Sequence, residues 1–289
     1  MHSCPVFSGH RRGPGALDHP VVVIIGDYTG MVGDPSEKSA TRPRLSHKEI
    51  KKNAKTYQEQ FFKILDEKKT EVVYNGQWFS KMRFGEIMEL ASKFTVARML
   101  ERDDFAKRYE SQQPISIHEF FYPLMQGYDS VMVRADVEIG ATEQKFNLII
   151  ARQIQKEYGM ESQVVLTLPV LVGIDGVQRM SKSTGNYIGI DEPPGEMYGK
   201  TMRIPDEQIY PYFELITDVG LDELKQIKQQ FGRKSVNPRD LKRRLARTIV
   251  GMYHSEKAAK EAAGFTPWRA LVAAHLWALN AETDAGATA

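Results

Sequence analysis

The chain is expected to be α/β, with parallel strands and helices alternating in its first two thirds and a wholly helical part after them. Three observations point there. "VVVII" at 21–25 is an unbroken, mostly β-branched apolar run, the pattern of a strand covered on both faces, as parallel sheets demand. Short strand-like runs recur at 71–75 ("EVVYN"), 131–135 and 164–168, separated by stretches of helical spacing. Beyond about residue 190 only helical patterns remain.

The elements follow in order. After the first strand, Ser46 and Glu49 make a capping-box pattern, and Ile50, Ala54, Tyr57, Phe61 and Leu65 recur at helical spacing, predicting a helix over 46–66. Further helices are expected over 83–92, 95–109, 116–128 and 142–157. In the later part "DEQIYPYFELIT", "LDELKQIKQQF" and "NPRDLKRRLARTIVGMYHSEKAAKEA" each read as helix. The last is opened by Asn237 as N-cap and Pro238 at the first helical position. The expected division is an α/β domain over 21–190, a helical domain over 191–265, and two terminal segments, 1–20 and 266–289, that lack periodicity and are expected to be poorly ordered.

Composition narrows the function classes. With 289 residues, 42% of them hydrophobic, the chain has material for one large or two modest cores, which excludes a disordered tail or a fibre. A formal net charge of +2 gives no field able to steer a polyanion, so such a partner must be met by a local basic surface. The single cysteine, Cys4, cannot close an internal disulfide, and no His, Cys or carboxylate cluster has metal-ligand spacing. No apolar run approaches membrane length, and residues 1–20 lack the apolar core of a secretory signal. A cytoplasmic enzyme or binding protein without a metal centre or membrane partner is expected.

Four stretches carry chemistry. "GDYTGMVGDPSEKSATR" follows the first strand, at the carboxyl end where open α/β sheets bind ligands. There Gly26, Gly30 and Gly33 permit close backbone approach, Asp34 suits an ammonium group, and Lys38 and Arg42 suit phosphate oxygens. An ordinary strand-to-helix loop with a solvated charged tail explains the same residues. In "YPLMQGYD", Tyr122, Gln126 and Asp129 share one helical face, and the apolar "FFYPLM" beside them favours a pocket over a solvent face. "RADVEIGATEQKFN" runs from a strand through Gly140 into a helix start, with Glu143 and Gln144 in its first turn; a Thr142 cap with a dipole-compensating Glu is the simpler account. Finally "GVQRMSKSTGN" is a polar loop bearing Arg179 and Lys182, fitted to an anion.

Taken in order, these segments resemble the class I tyrosyl-tRNA synthetases from about residue 21 to 265. "RMSKS" is similar to the family's KMSKS loop, with Arg179 in place of the first Lys, and "TGMVGDPSEKS" and "YPLMQGYD" are similar to its substrate segments. The resemblance implies a Rossmann-like parallel sheet, incomplete at its N-terminal side, followed by a helical domain. It implies activation of L-tyrosine by Mg²⁺-bound ATP and transfer to tRNA(Tyr), in a homodimer. It further implies that Lys182, Arg179, Lys38 and Arg42 clamp pyrophosphate, that Asp34, Tyr122 and Gln126 hold the amino group, that Asp129 accepts from the phenol and that Thr29 lines the pocket. Gly140, Glu143, Gln144, Met180, Ser181, Lys182 and Ser183 would contact ATP.

Two departures stand beside this. The family's His-x-Gly-His signature has no match in residues 1–20, where His10 and His19 lack its spacing, and both termini are expected to be sequence foreign to the family. A homologue that binds tRNA, nucleotide or a protein partner without chemistry is therefore the alternative reading. Arg239, Arg243 and Arg247, with Lys242 beside them, form a cationic stripe opposite Leu241, Leu245, Ile249 and Met252, as a helix meeting tRNA phosphates would show; DNA is not an expected partner.

Overall fold

In the computed structural model, residues 19–32, 55–182, 184–233 and 236–264 are described. They form two compact units that divide between Val170 and Leu171.

In the first unit, β1 (Val21–Ile25) pairs in parallel with β2 (Thr70–Tyr74), Val23 opposite Val72. A second parallel pair joins β3 (Val137–Ala141) to β4 (Val164–Leu168), Ile139 opposite Leu166. Among the described residues these are separate two-stranded sheets. Between the strands run α1 (Thr29–Val32), α2 (helical over 55–61), α3 (Gly76–Phe79), α4 (Phe84–Ser92), α5 (Val96–Met99), α6 (Asp103–Glu110), α7 (Ile117–Met132) and α8 (Lys145–Glu157). Leu90, Met99, Leu124, Ile150 and Ile154 close the core between α4, α5, α7 and α8. Gly127 lets α7 and α8 approach: a Cβ there would come within 3.1 Å of the Ala151 Cα.

Several expectations need correction. Residues 131–135 are not a strand: α7 runs to Met132 because Val131 packs into the core on the helical period, and the strand begins at Val137. The helix expected over 95–109 is two helices, α5 opened by the Thr95 side chain accepting from the Arg98 N–H, and α6 starting after a turn at Arg102. The helix expected to reach 66 stops at 61. Its capping residues, Ser46 and Glu49, lie outside the described residues, as do most of segment 1–20 and all of 266–289.

The second unit is helical: α9 (Pro194–Arg203), α10 (Ile209–Ile216), α11 (Leu221–Gly232), α12 (Pro238–Tyr253) and α13 (helical over 256–264). Asn237 caps α12 by accepting from the Arg239 N–H at 2.9 Å, with Pro238 at the first position, as expected. The single helix expected to run on to 262 breaks at His254, and Ser255 Oγ accepts the Ala258 N–H to start α13. Helix α9 was not anticipated, although Pro193-Pro194 is a start signal of the same kind as Asn237-Pro238. Met197, Ile204, Ile209, Tyr212, Phe213, Leu245 and Ala246 have no exposure and form the core. Composition placed the boundary near 190, but Leu171, Ile174, Met180 and Ile188 pack against this helical core and the Tyr212 hydroxyl donates to the Val172 carbonyl at 2.7 Å. The 173–186 loop therefore goes with the helices.

Candidate functional site

In the first unit the polar face of α7 is built into the interior. Asp129 is only 6% exposed. Its Oδ2 accepts from Asn75 Nδ2 at 3.1 Å and its Oδ1 from the Trp78 indole N–H at 2.9 Å. Asn75 also donates to Thr29 Oγ1 at 3.0 Å and accepts the Tyr28 N–H. Thr29 is thus brought to the same cluster as Asp129, from the carboxyl end of β1, while Asn75 arrives from the carboxyl end of β2. Burial raises the Asp129 carboxyl from an ordinary 3.8 to about 7; the two donated hydrogen bonds oppose that rise, and Glu138 and Asp27 add to it. A carboxylic acid so placed is an acceptor for a buried hydroxyl.

Gln126, one turn earlier, accepts from Asn147 Nδ2 at 2.8 Å, and Asn147 Oδ1 accepts from the buried Arg102 guanidinium at 3.3 Å. Arg102 itself is held by Asp104 at 2.7 Å. Gln126 also reaches Glu138, whose carboxyl is bonded by Ser130 and Gln163 and is raised by burial. A chain of four side chains, Arg102, Asn147, Gln126 and Glu138, thus fixes which way the amide faces. Tyr122 is half-buried on the same helix. Sequence reasoning missed Asn75, Trp78, Asn147 and Arg102. Asn75 and Trp78 follow β2 at a strand's carboxyl end, the signal that would have flagged them. Asp34, Lys38 and Arg42 lie outside the described residues.

Gly140 is buried near the end of β3, and a Cβ there would stand 3.0 Å from the Leu148 side chain. Glu143 and Gln144 sit in a single 3₁₀ turn, Thr142–Gln144, ahead of α8, with Glu143 exposed.

In the second unit the 173–186 loop is organised by Asn186, 5% exposed. A bridge between Val172 and Arg179, with Met180 N–H donating to the Leu171 carbonyl at 2.7 Å, makes one arm. Lys182 and Arg179 are both exposed. Met180 packs on the helical core, and Ser181 Oγ lies 2.9 Å from Thr184 Oγ1. Ser183 is outside the described residues. Gly176 adopts φ +71 with Pro205 in its face, so only glycine fits that turn.

On α12 the basic stripe is exposed at Arg239, Arg243 and Arg247, with Leu241, Leu245 and Ile249 buried and Met252 half-buried opposite. Arg243, Arg244 and Arg247 line a surface cleft of about 500 Å³ with Thr248, Asp240 and Glu256. Lys242 is different: it is 2.5 Å from Asp206 and its side chain is only 15% exposed.

Parallel strands with helices between them in one unit, and helices alone in the other, make this an α/β protein of the Rossmann-like kind. The chain belongs to the class I tRNA synthetases (W and Y), whose family model matches residues 16–266. It is 59% identical over 246 residues to the tyrosine–tRNA ligase of Moorella thermoacetica, covering 85% of this chain and 60% of that one. To the tyrosine–tRNA ligase of Carboxydothermus hydrogenoformans it is 57% identical over 247 residues, covering 86% and 60%. The chain thus spans about 60% of the length of these curated relatives. In fold it is similar to the tyrosyl-tRNA synthetase from Archaeoglobus fulgidus solved with L-tyrosine, at TM-score 0.64 and 21% identity over 84% of this chain and 80% of that one. A tryptophanyl-tRNA synthetase from Giardia lamblia scores 0.64 at 15% identity, covering 87% and 72%. No helix among the described residues is long and apolar enough to cross a membrane.

Proposed function

We propose that this chain carries the amino-acid-activating part of a cytoplasmic tyrosine–tRNA ligase. The reading is supported above all by Asp129, a nearly buried carboxyl already aligned by Asn75 and Trp78 on the helix face that holds Gln126 and Tyr122. The Asp129 oxygens keep lone pairs beyond those taken by Asn75 and Trp78, which a phenol meets and phenylalanine leaves unmet at a cost. Both tyrosyl and tryptophanyl relatives share the fold, so the choice of tyrosine rests on this side chain.

In the reaction, the tyrosine carboxylate oxygen bonds to the α-phosphorus of ATP, the bond from that phosphorus to the bridging oxygen breaks, and pyrophosphate leaves. The terminal ribose hydroxyl of tRNA(Tyr) then displaces AMP. Mg²⁺ enters as part of the nucleotide substrate and neutralises phosphate charge. Tyr122, Gln126 and Asp34 take the ammonium group; Gly140, Glu143 and Gln144 take the nucleoside, with Glu143 as an acceptor for ribose hydroxyls. Lys182 and Arg179, flanked by Met180, Ser181 and Ser183, stabilise the departing pyrophosphate together with Lys38 and Arg42. Cations on an exposed loop suit charge that develops late in the step. The arginines of α12 supply sequence-independent contacts to tRNA phosphates. Exposed Phe84, Met88, Val96 and Ile117 suit pairing with a second copy, which Phe84→Glu should abolish in sedimentation.

Tyrosine-dependent exchange of labelled pyrophosphate into ATP tests the reading. Exchange with tyrosine and none with tryptophan is expected; no exchange with either overturns it and leaves a binding protein.

A further inference from the structure

The Asn186 side chain bonds to five other residues of its loop. Its Nδ2 donates to Asp175 Oδ2 at 2.7 Å, to the Arg179 carbonyl at 3.1 Å and to the Gln178 carbonyl at 3.4 Å. Its Oδ1 accepts the Ser181 N–H at 2.8 Å and the Thr184 hydroxyl at 2.7 Å, and its own carbonyl accepts the Ile174 N–H at 2.9 Å. Asp175 completes the brace by accepting the Val177 and Gln178 N–H groups on Oδ1, at 2.9 and 3.0 Å. The fit requires a bare backbone opposite: a Cβ at Gly173 would collide with the Asn186 amide.

The bonded positions bracket the two cations. The Arg179 carbonyl is held directly, and the Ser181 N–H and Thr184 hydroxyl are held on either side of Lys182. One neutral amide therefore sets where both charges stand without lending charge of its own, so it leaves the local field to Lys182 and Arg179. We propose that Asn186, braced by Asp175, is a positioning residue that preorganises the Arg179–Lys182 segment for phosphate. This rests on the pyrophosphate role given to the loop above.

The chemistry of the pair offers a swap. Asn186→Asp keeps the acceptor for Ser181 and Thr184 but loses the donor to the Arg179 and Gln178 carbonyls and sets a second carboxylate against Asp175. Asp175→Asn keeps the acceptor for Val177 and Gln178 but sets two amides against each other. The double variant restores one donor and one acceptor across the 175–186 contact, while the Arg179 and Gln178 carbonyls stay without the donor from position 186. All three are compared with the parent chain by amide hydrogen exchange over 173–186, equilibrium binding of Mg²⁺-ATP, tyrosine binding, and pyrophosphate exchange.

Each single variant is expected to speed amide exchange in the loop and to lower the kcat of pyrophosphate exchange about 10- to 100-fold, as misplacement of about 1 Å can. Tyrosine affinity should stay within about twofold, since Gln126 and Asp129 lie on other elements, and the swap should recover about threefold or more of the Asn186→Asp loss, the share carried by the 175–186 contact. Unchanged kcat in both single variants, or a swap that restores amide protection but not kcat, overturns the proposal. Should the parent chain itself show no pyrophosphate exchange, the activation reading fails separately. Mg²⁺-ATP affinity then decides: a drop of about tenfold in each single variant, recovered in part in the swap, sustains the positioning role, and equal affinity in all four chains ends it.

Discussion

Asp129 and Asp175 are each bonded through Oδ2 to an asparagine amide, Asn75 in one case and Asn186 in the other, yet their carboxyls are pushed in opposite directions. Asp129 is raised, because burial strips water from it and two donors from side chains do not make up the loss. Asp175 is exposed and is lowered, chiefly by the Val177 backbone N–H and then by the Asn186 amide. The same residue pair thus serves two ends. Where the surroundings are dry it makes a recognition group whose charge is expensive; where they are wet it makes a brace whose charge is free to persist.

The contrast breaks most sharply at Asp129. Asp129→Asn should weaken tyrosine binding by about 100-fold in calorimetry, about the cost of leaving a buried polar group mismatched, while phenylalanine binding changes little. The same variant tests the sign of the titration. Because the folded Asp129 holds its proton up to about 7, against an ordinary 3.8, the folded form binds more protons over that interval. Stability of the parent should therefore fall as pH rises from about 4 to about 7, by linkage. Thermal melts of Asp129→Asn should lose that limb. Asp175 runs the other way, contributing stability above its ordinary range that is lost on acidification below it.

The smallest expected effect sharpens the same wet and dry distinction on α12. Arg243 is exposed and only weakly held by Asp240 at 3.3 Å, whereas Lys242 is committed to Asp206 at 2.5 Å. Arg243→Ala should lower the slope of log binding against log salt for tRNA by about 1, and Lys242→Ala should leave it unchanged. Equal slopes for both variants and the parent would remove this face from the RNA contact.

Much of this was legible from sequence where one rule governs. Strands 21–25 and 164–168 are apolar runs with no competing period, and Asn237-Pro238 is a local signal that needs no tertiary partner. Legibility failed where packing outvotes pattern. Val131 and Met132 look like a strand start and finish α7 instead, and β3 was displaced because Glu138 and Gly140 dilute its apolar character for the sake of the site. Tyr122, Gln126 and Asp129 were readable as one face because a helix gives them fixed spacing. Their supports were not, since Asn75, Trp78, Asn147 and Arg102 reach them across 21 to 54 residues of chain and no periodicity records such a meeting.

The Trp78 indole has its N–H on Asp129 Oδ1, and Trp78 is one of the chain's three tryptophans. A fluorophore is thereby wired to the carboxyl that matters most. Excited-state indole is sensitive to charge beside its nitrogen, so ionisation of Asp129, or capture of a hydroxyl by it, is written into the share of the emission that Trp78→Phe removes, and the cluster carries its own optical gauge.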